Sequence, residues 1–158
     1  MTIIGLDPGY DRLGVAVFID GVLNFSTCLS SKPKDDFPIR LHTLGGELKE
    51  IFSTYQPDSV AMEEIFFSKN QTTALKVAEV RGMIMFLTGE VGVKLHQYSP
   101  QIIKLGVAGY GNADKSQVTA MVKRLVKFPK EPKYDDEYDA VAVGLVHLNH
   151  LGNRLSTL

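Results

Sequence analysis

Tryptophan is absent from this chain of 158 residues, and cysteine occurs once, at Cys28. A lone cysteine closes no intramolecular disulfide, and neither it nor the histidines fall into zinc-ligand spacing, so a disulfide scaffold and a structural zinc site are excluded. A reducing compartment is the simplest reading, with Cys28 a small core residue. No apolar run approaches the roughly 20 residues of a membrane-crossing helix. Met1–Leu6 lacks a basic stretch ahead of an apolar segment, so no secretory leader is expected. These absences predict a cytoplasmic protein with no membrane partner. Net charge is also nearly lacking, at −1. Spread evenly, that balance would disfavour a polyanionic partner.

The charge is not spread evenly. Residues 1–64 hold 5 Lys and Arg against 10 Asp and Glu, residues 65–133 hold 11 against 4, and residues 134–158 hold 1 against 4. A basic middle between acidic flanks leaves nucleic-acid binding open, because local distribution decides it. Solvated lysine-rich helix faces explain the same pattern equally simply. Hydrophobic residues at 44% and charged residues at 22% describe an ordinary globular chain. Residues 1–158 suit a single domain able to bury its own core.

Thr2–Leu6 is a β-branched apolar run ending in Asp7-Pro8-Gly9, a strand followed by a tight turn. Gly14–Ile19 and Val22–Leu29 flank Asp20-Gly21, a dipeptide suited to the positive φ angles of a type I′ hairpin. After a loop over Ser30–Phe37, Pro38 opens an amphipathic helix with Leu41, Leu44, Leu48, Ile51, Phe52 and Tyr55 on one face; Gly45-Gly46 weakens it locally. Ser59–Ile65 is a strand. A helix capped by Asn70 or Thr72 runs to about Thr88, its small and apolar residues requiring a partner surface. Val93–Tyr98 is a strand, and Ser99-Pro100 starts a helix over Gln101–Val107. Gly106, Gly109 and Gly111 mark a flexible stretch, and another helix starts near Asn112. The last helix begins near Asp135 and runs toward His147, its acidic first turn suiting the helix dipole. The order gives a mixed α/β fold: five strands, an antiparallel hairpin joined to parallel strand–helix–strand passages, flanked by helices.

In such sheets ligands bind at the carboxyl ends of strands, where Asp7 sits and where Glu63 lies on a second strand. Asp136 and Asp139, three apart, emerge on one face of their helix. Four converging carboxylates repel unless hard divalent cations with oxygen ligands relieve them, which points to magnesium or manganese. Two such ions suit phosphodiester cleavage. Each acid also has a plain explanation. Asp7 is common turn chemistry, and Asp135, Asp136, Glu137 and Asp139 can all serve the dipole. Glu63 is harder to explain away, because it follows Val60-Ala61-Met62 in an apparently buried strand. Strand alternation lets only one of Glu63 and Glu64 face the site, and spacing alone does not choose between them.

Four ordered motifs carry a resemblance that spans nearly the entire chain. They are Ile4-Gly5-Leu6-Asp7-Pro8-Gly9, then Ala61-Met62-Glu63-Glu64-Ile65-Phe66 with Ser68-Lys69-Asn70, then Asp114-Lys115-Ser116-Gln117-Val118, and last Asp136-Glu137-Tyr138-Asp139-Ala140. In these the chain resembles the RuvC family of Holliday-junction resolvases, within the ribonuclease-H-like nuclease fold. The resemblance implies a homodimer that resolves four-way DNA junctions by paired symmetric nicks in recombination and repair, and it leaves open whether a branch-migration motor is a partner. It implies a catalytic, metal-binding set of Asp7, Glu63, Asp136 and Asp139, holding two Mg2+ ions for which Mn2+ substitutes, and it leaves Glu64 out. It also implies DNA contacts by Phe66, Lys69, Lys104 and Lys115, with Phe66 stacking on a base and the two later lysines near the scissile phosphate. The small-residue helix before Thr88 is similar to the family's dimer helix.

Asp135 and Glu137 depart from that pattern and blur which acids bind metal. His147 is read as structural, with water activation the other role open to it. Two other classes of function stay in view: an actin-like phosphotransferase domain, suggested by the Asp-Pro-Gly loop, and a junction-binding module without catalysis.

Overall fold

The computed structural model of the chain describes residues 1–64 and 71–155. The elements run β1 (Thr2–Pro8), β2 (Arg12–Ile19), β3 (Val22–Ser30), α1 (Phe37–Tyr55), β4 (Ser59–Glu63), α2 (Gln71–Glu90), β5 (Lys94–Tyr98), α3 (Pro100–Ala108), α4 (Lys115–Leu125) and α5 (Asp135–Leu155). One sheet has the order β3-β2-β1-β4-β5. The β1/β2 and β2/β3 pairs are antiparallel, while β4 pairs parallel with β1 and β5 parallel with β4. This is the mixed five-stranded sheet expected from the sequence. The Asp20-Gly21 turn has positive φ at both residues, 49° and 82°.

Strand alternation divides the core in two. Ile3, Ala16, Phe18 and Ala61 face α3, α4 and α5, packing with Ile103, Val122, Ala140 and Val143. Ile4, Leu6, Val15, Val17, Val60 and Met62 face α1 and α2, packing with Leu44, Leu48, Phe52, Val80 and Ile84. Helix α5 approaches β1 and β2 more closely than a β-carbon permits. A Cβ on Gly5 would lie 2.5 Å from the Ala140 carbonyl, and one on Gly14 would lie 2.0 Å from the Asp136 carbonyl. The glycines are therefore what lets the acidic start of α5 rest on the sheet.

Several expectations need correction. Helix α1 runs unbroken through Gly45-Gly46, and Gly45 is buried where a Cβ would meet Met83 Sδ of α2 at 2.7 Å. The expected flexible stretch does not include Gly106, which is part of α3 and packs against Val146, while Gly109 ends that helix with φ of 85°. Helix α4 starts at Lys115, not near Asn112, because Asp114 and Gln117 form a reciprocal capping box there. Helix α5 continues well past His147 to Leu155. The caps proposed at Asn70 and Thr72 fall on a residue and a side chain outside those described.

Candidate active site

Asp7 lies on the face of β1 that carries Ile3 and Gly5, and so points toward α5. On β4, Ala61 faces α5 while Val60 and Met62 face the opposite layer. Glu63 therefore faces α5 as well, and Glu64 is exposed on the other side. The last β1–β4 pair is Leu6↔Met62. One step further, Asp7 and Glu63 stand next to one another at the strand ends, on chains about 4.8 Å apart. Asp7 pairs on its other side with Gly14, the residue on which the Asp136 carbonyl rests. Three sequence-distant segments thus bring Asp7, Glu63, Asp136 and Asp139 to one place.

The electrostatics record that convergence. Burial, then the charges of Asp139, Glu63 and Asp136, hold the Asp7 carboxyl well above the usual carboxylate range, opposed by Lys115. Burial likewise raises Glu63, with Asp139 adding to it and Lys104, Arg81 and Lys115 opposing. Asp139 is raised by burial against the counteracting hydrogen bond and charge of Lys115. Lys115 Nζ lies 3.0 Å from Asp139 Oδ2 and 3.5 Å from Asp135 Oδ2. Arg12 Nε donates to Asp136 Oδ2 at 2.9 Å, and the same guanidinium sits 4.9 Å from the Tyr134 ring centre. Among the described residues no group of three or more His, Cys, Asp or Glu side chains is placed so that it could hold a metal ion as it stands. The donor chemistry nonetheless fits hard divalent cations: carboxylate oxygens whose ionisation is disfavoured by burial and by one another are relieved by such an ion.

A pocket of about 190 Å³ opens beside these acids, lined by Glu63, Lys104, Lys115 and Asp139 together with Ile103, Val118, Ala142 and Val143. Two of the three lysines expected to contact DNA, Lys104 and Lys115, face it. Phe66 and Lys69 lie outside the described residues. Of the acids that blurred the last motif, Glu137 is buried and already engaged, accepting from Ser26 Oγ at 3.1 Å and from the Lys133 main-chain N–H at 2.9 Å. It anchors the start of α5 and is not aimed at the pocket. Asp135 is exposed and meets Lys115. His147 is fully buried between Ser59 Oγ, 2.7 Å from Nε2, and Tyr98 Oη, 2.8 Å from Nδ1. Ser59 is the first residue of β4 and Glu63 the last, so His147 is tied to the far end of that strand.

Two arginines at the site went unnoticed in the sequence. Arg12 had no signal beyond an ordinary surface cation. Arg81 had one: it falls in helical phase with Val77 and Ile84, a charge on the buried side of an apolar helix. On the other flank, buried Arg40 of α1 holds the turn that follows Asp7, donating to the Tyr10 carbonyl at 3.2 Å, to Ser31 Oγ at 2.9 Å and to Asp11 Oδ1.

No helix among the described residues is long and apolar enough to cross a membrane. The family model for crossover junction endodeoxyribonuclease RuvC matches residues 3–147. The chain is 40% identical over 158 residues to the crossover junction endodeoxyribonuclease RuvC of Alkaliphilus oremlandii, covering 97% of this chain and 95% of that protein. It is 36% identical over 154 residues to that of Petrotoga mobilis, covering 94% of each. Among solved structures, T. thermophilus RuvC in complex with Holliday junction substrate superposes with a TM-score of 0.87 at 28% identity, covering 96% of this chain and 94% of that one. The yeast mitochondrial Holliday junction resolvase Ydc2 shares the fold at 16% identity, with a TM-score of 0.64 over 98% of this chain and 85% of that one. By motif order, fold and near-complete coverage, the chain belongs to the RuvC family of crossover junction endodeoxyribonucleases.

Proposed function

We propose that this chain, a single nuclease domain over residues 1–158, resolves four-way DNA junctions by paired symmetric hydrolytic nicks during recombination and repair. Family membership makes it a DNA-cleaving hydrolase, which removes the phosphotransferase reading. The observation that carries the site assignment is the meeting of Asp7 and Glu63 at adjacent strand ends, with Asp136 and Asp139 of α5 against them. A related RuvC has been solved with a Holliday junction substrate.

Asp7, Glu63, Asp136 and Asp139 are the residues that would hold Mg2+, with Mn2+ as a substitute. A bound pair of such ions supplies activation of water and neutralisation of charge on the leaving 3′ oxygen. The chain's own residues do the rest. Asp7 and Glu63 present oxygens from a rigid sheet, so their spacing is set before substrate arrives. Lys104 and Lys115 place positive charge on the pocket wall, where it attracts the scissile phosphate and steadies its developing charge. Phe66 and Lys69 are assigned to the junction by family resemblance alone.

A two-fold substrate calls for a two-fold enzyme. Helix α2 leaves Leu75 68% exposed, Phe86 66% and Met85 43%, an apolar face that a second copy would cover. A cytoplasmic homodimer working with a branch-migration motor completes the proposal. The deciding experiment incubates purified protein with a synthetic four-way junction and Mg2+. Symmetrically related nicks in two like strands are expected. Junction binding without any nick would instead favour the non-catalytic module, and equal cutting of linear duplex would remove junction specificity while leaving the nuclease.

A further inference from the structure

We infer that Arg81 is a positioning residue for Glu63, fixing the carboxyl end of β4 so that its acid stands beside Asp7; the inference rests on the nuclease reading above. Arg81 belongs to α2 and is 7% exposed. Its guanidinium donates one hydrogen bond to the main-chain carbonyl of Glu63 and another to the side-chain carbonyl of Gln97 on β5.

The need for such a contact follows from the ladder. The β1–β4 pairing stops at Leu6↔Met62, so the Glu63 carbonyl lies beyond the last pair with β1. A partly buried carbonyl there needs another donor, and Arg81 provides it. On the β5 side, the Glu64 N–H donates to the Tyr98 carbonyl at 2.8 Å. The peptide unit that follows the Glu63 α-carbon is therefore held from two directions, its carbonyl by Arg81 and its N–H by Tyr98, which fixes the direction in which the Glu63 side chain leaves the strand. The planar fork of arginine reaches acceptors on two strands at once, whereas the single ammonium of lysine reaches one well. Arg81 does not line the pocket, so it acts through Glu63 and not on substrate.

The test compares wild type, Arg81→Met and Arg81→Lys as full chains on a synthetic four-way junction. Four quantities are measured: the single-turnover nicking rate in Mg2+, junction affinity in EDTA, the melting temperature, and Mn2+ affinity by electron paramagnetic resonance. Arg81→Met is expected to melt cooperatively and to bind the junction within about twofold of wild type. It should nick about 100-fold more slowly, the scale of a misplaced reacting group, and bind Mn2+ about tenfold more weakly. Arg81→Lys should recover to within about tenfold of the wild-type rate.

Wild-type nicking by Arg81→Met overturns the inference. So does a slower rate that tracks only lost folded protein or lost junction affinity while Mn2+ affinity stays unchanged, since Arg81 would then merely tether α2 to the sheet. If Arg81→Met does not fold, Gln97→Met removes one of the two acceptors from an exposed position and should show a milder loss, about tenfold, with the same pattern. An unchanged rate and Mn2+ affinity in that variant equally overturn the inference. Wild type that nicks no junction sinks the nuclease reading and this inference together, whereas nicking by wild type and Arg81→Met alike sinks this inference alone.

Discussion

The main-chain carbonyl of Asp136 rests on Gly14, so closely that a β-carbon there would lie 2.0 Å from it. Gly14 is the β2 partner of Asp7, so this contact sets how near the α5 acids come to the β1 acid.

Gly14→Ala must therefore lift the start of α5 off the sheet. A stability loss of about 1–3 kcal/mol is expected, the usual cost of overpacking, together with a nicking rate reduced beyond what the lost folded fraction explains. Denaturant melts and single-turnover nicking on the same preparation check it. A variant with wild-type rate and stability would mean that this contact does not place the acids.

Asp7→Asn is expected to bind the junction and leave it uncut. Its effect on stability runs the other way. Burial and the charges of Asp139, Glu63 and Asp136 raise the Asp7 carboxyl in the folded chain. The folded state thus holds a proton that the unfolded chain has already released. That contribution is present at pH below the unfolded carboxyl value, about 3.9, and is lost as pH rises through the raised folded value. Without divalent ions, the asparagine variant should melt higher than wild type at pH 7, by about 2–4 °C for each kcal/mol regained. The gap should close toward pH 4. Added Mg2+ should raise the wild-type melt more than that of the variant. A variant that melts below wild type at pH 7 with no dependence on pH would contradict this account.

Glu63→Gln and Glu64→Gln separate the two neighbours. Because Glu63 faces α5 and Glu64 is exposed on the opposite side, the first substitution should slow nicking by about 100-fold or more, the scale for removing a group that stabilises transition-state charge. The second should leave the rate within about twofold. Equal effects from both would show that strand alternation does not select the acid.

His147→Phe tests the structural reading of that histidine. It leaves Ser59 and Tyr98 without their ring-nitrogen partners in a fully buried place, so a loss of about 1–3 kcal/mol is expected in denaturant melts. Nicking per folded molecule should stay near wild type. A rate that collapses in well-folded protein would bring His147 into the chemistry after all.

Much of this molecule is determined by residues close together in the chain. Alternating apolar runs, the Asp20-Gly21 turn, the Ser99-Pro100 start of α3 and the acidic first turn of α5 all express local backbone preference, and the structure reproduces them. Family motifs likewise marked the acids, because the order of motifs along a chain is itself a sequence property. Tertiary structure alone decided what depends on packing between distant segments. Gly14 meets Asp136 across 122 positions of chain. Glu137 is withdrawn from the site by Ser26, far away on β3. Arg81 reaches from α2 to the last residue of β4. Periodicity reports which face of an element is apolar. It does not report which two faces meet, because their spacing is set by small residues and buried hydrogen bonds that belong to different elements.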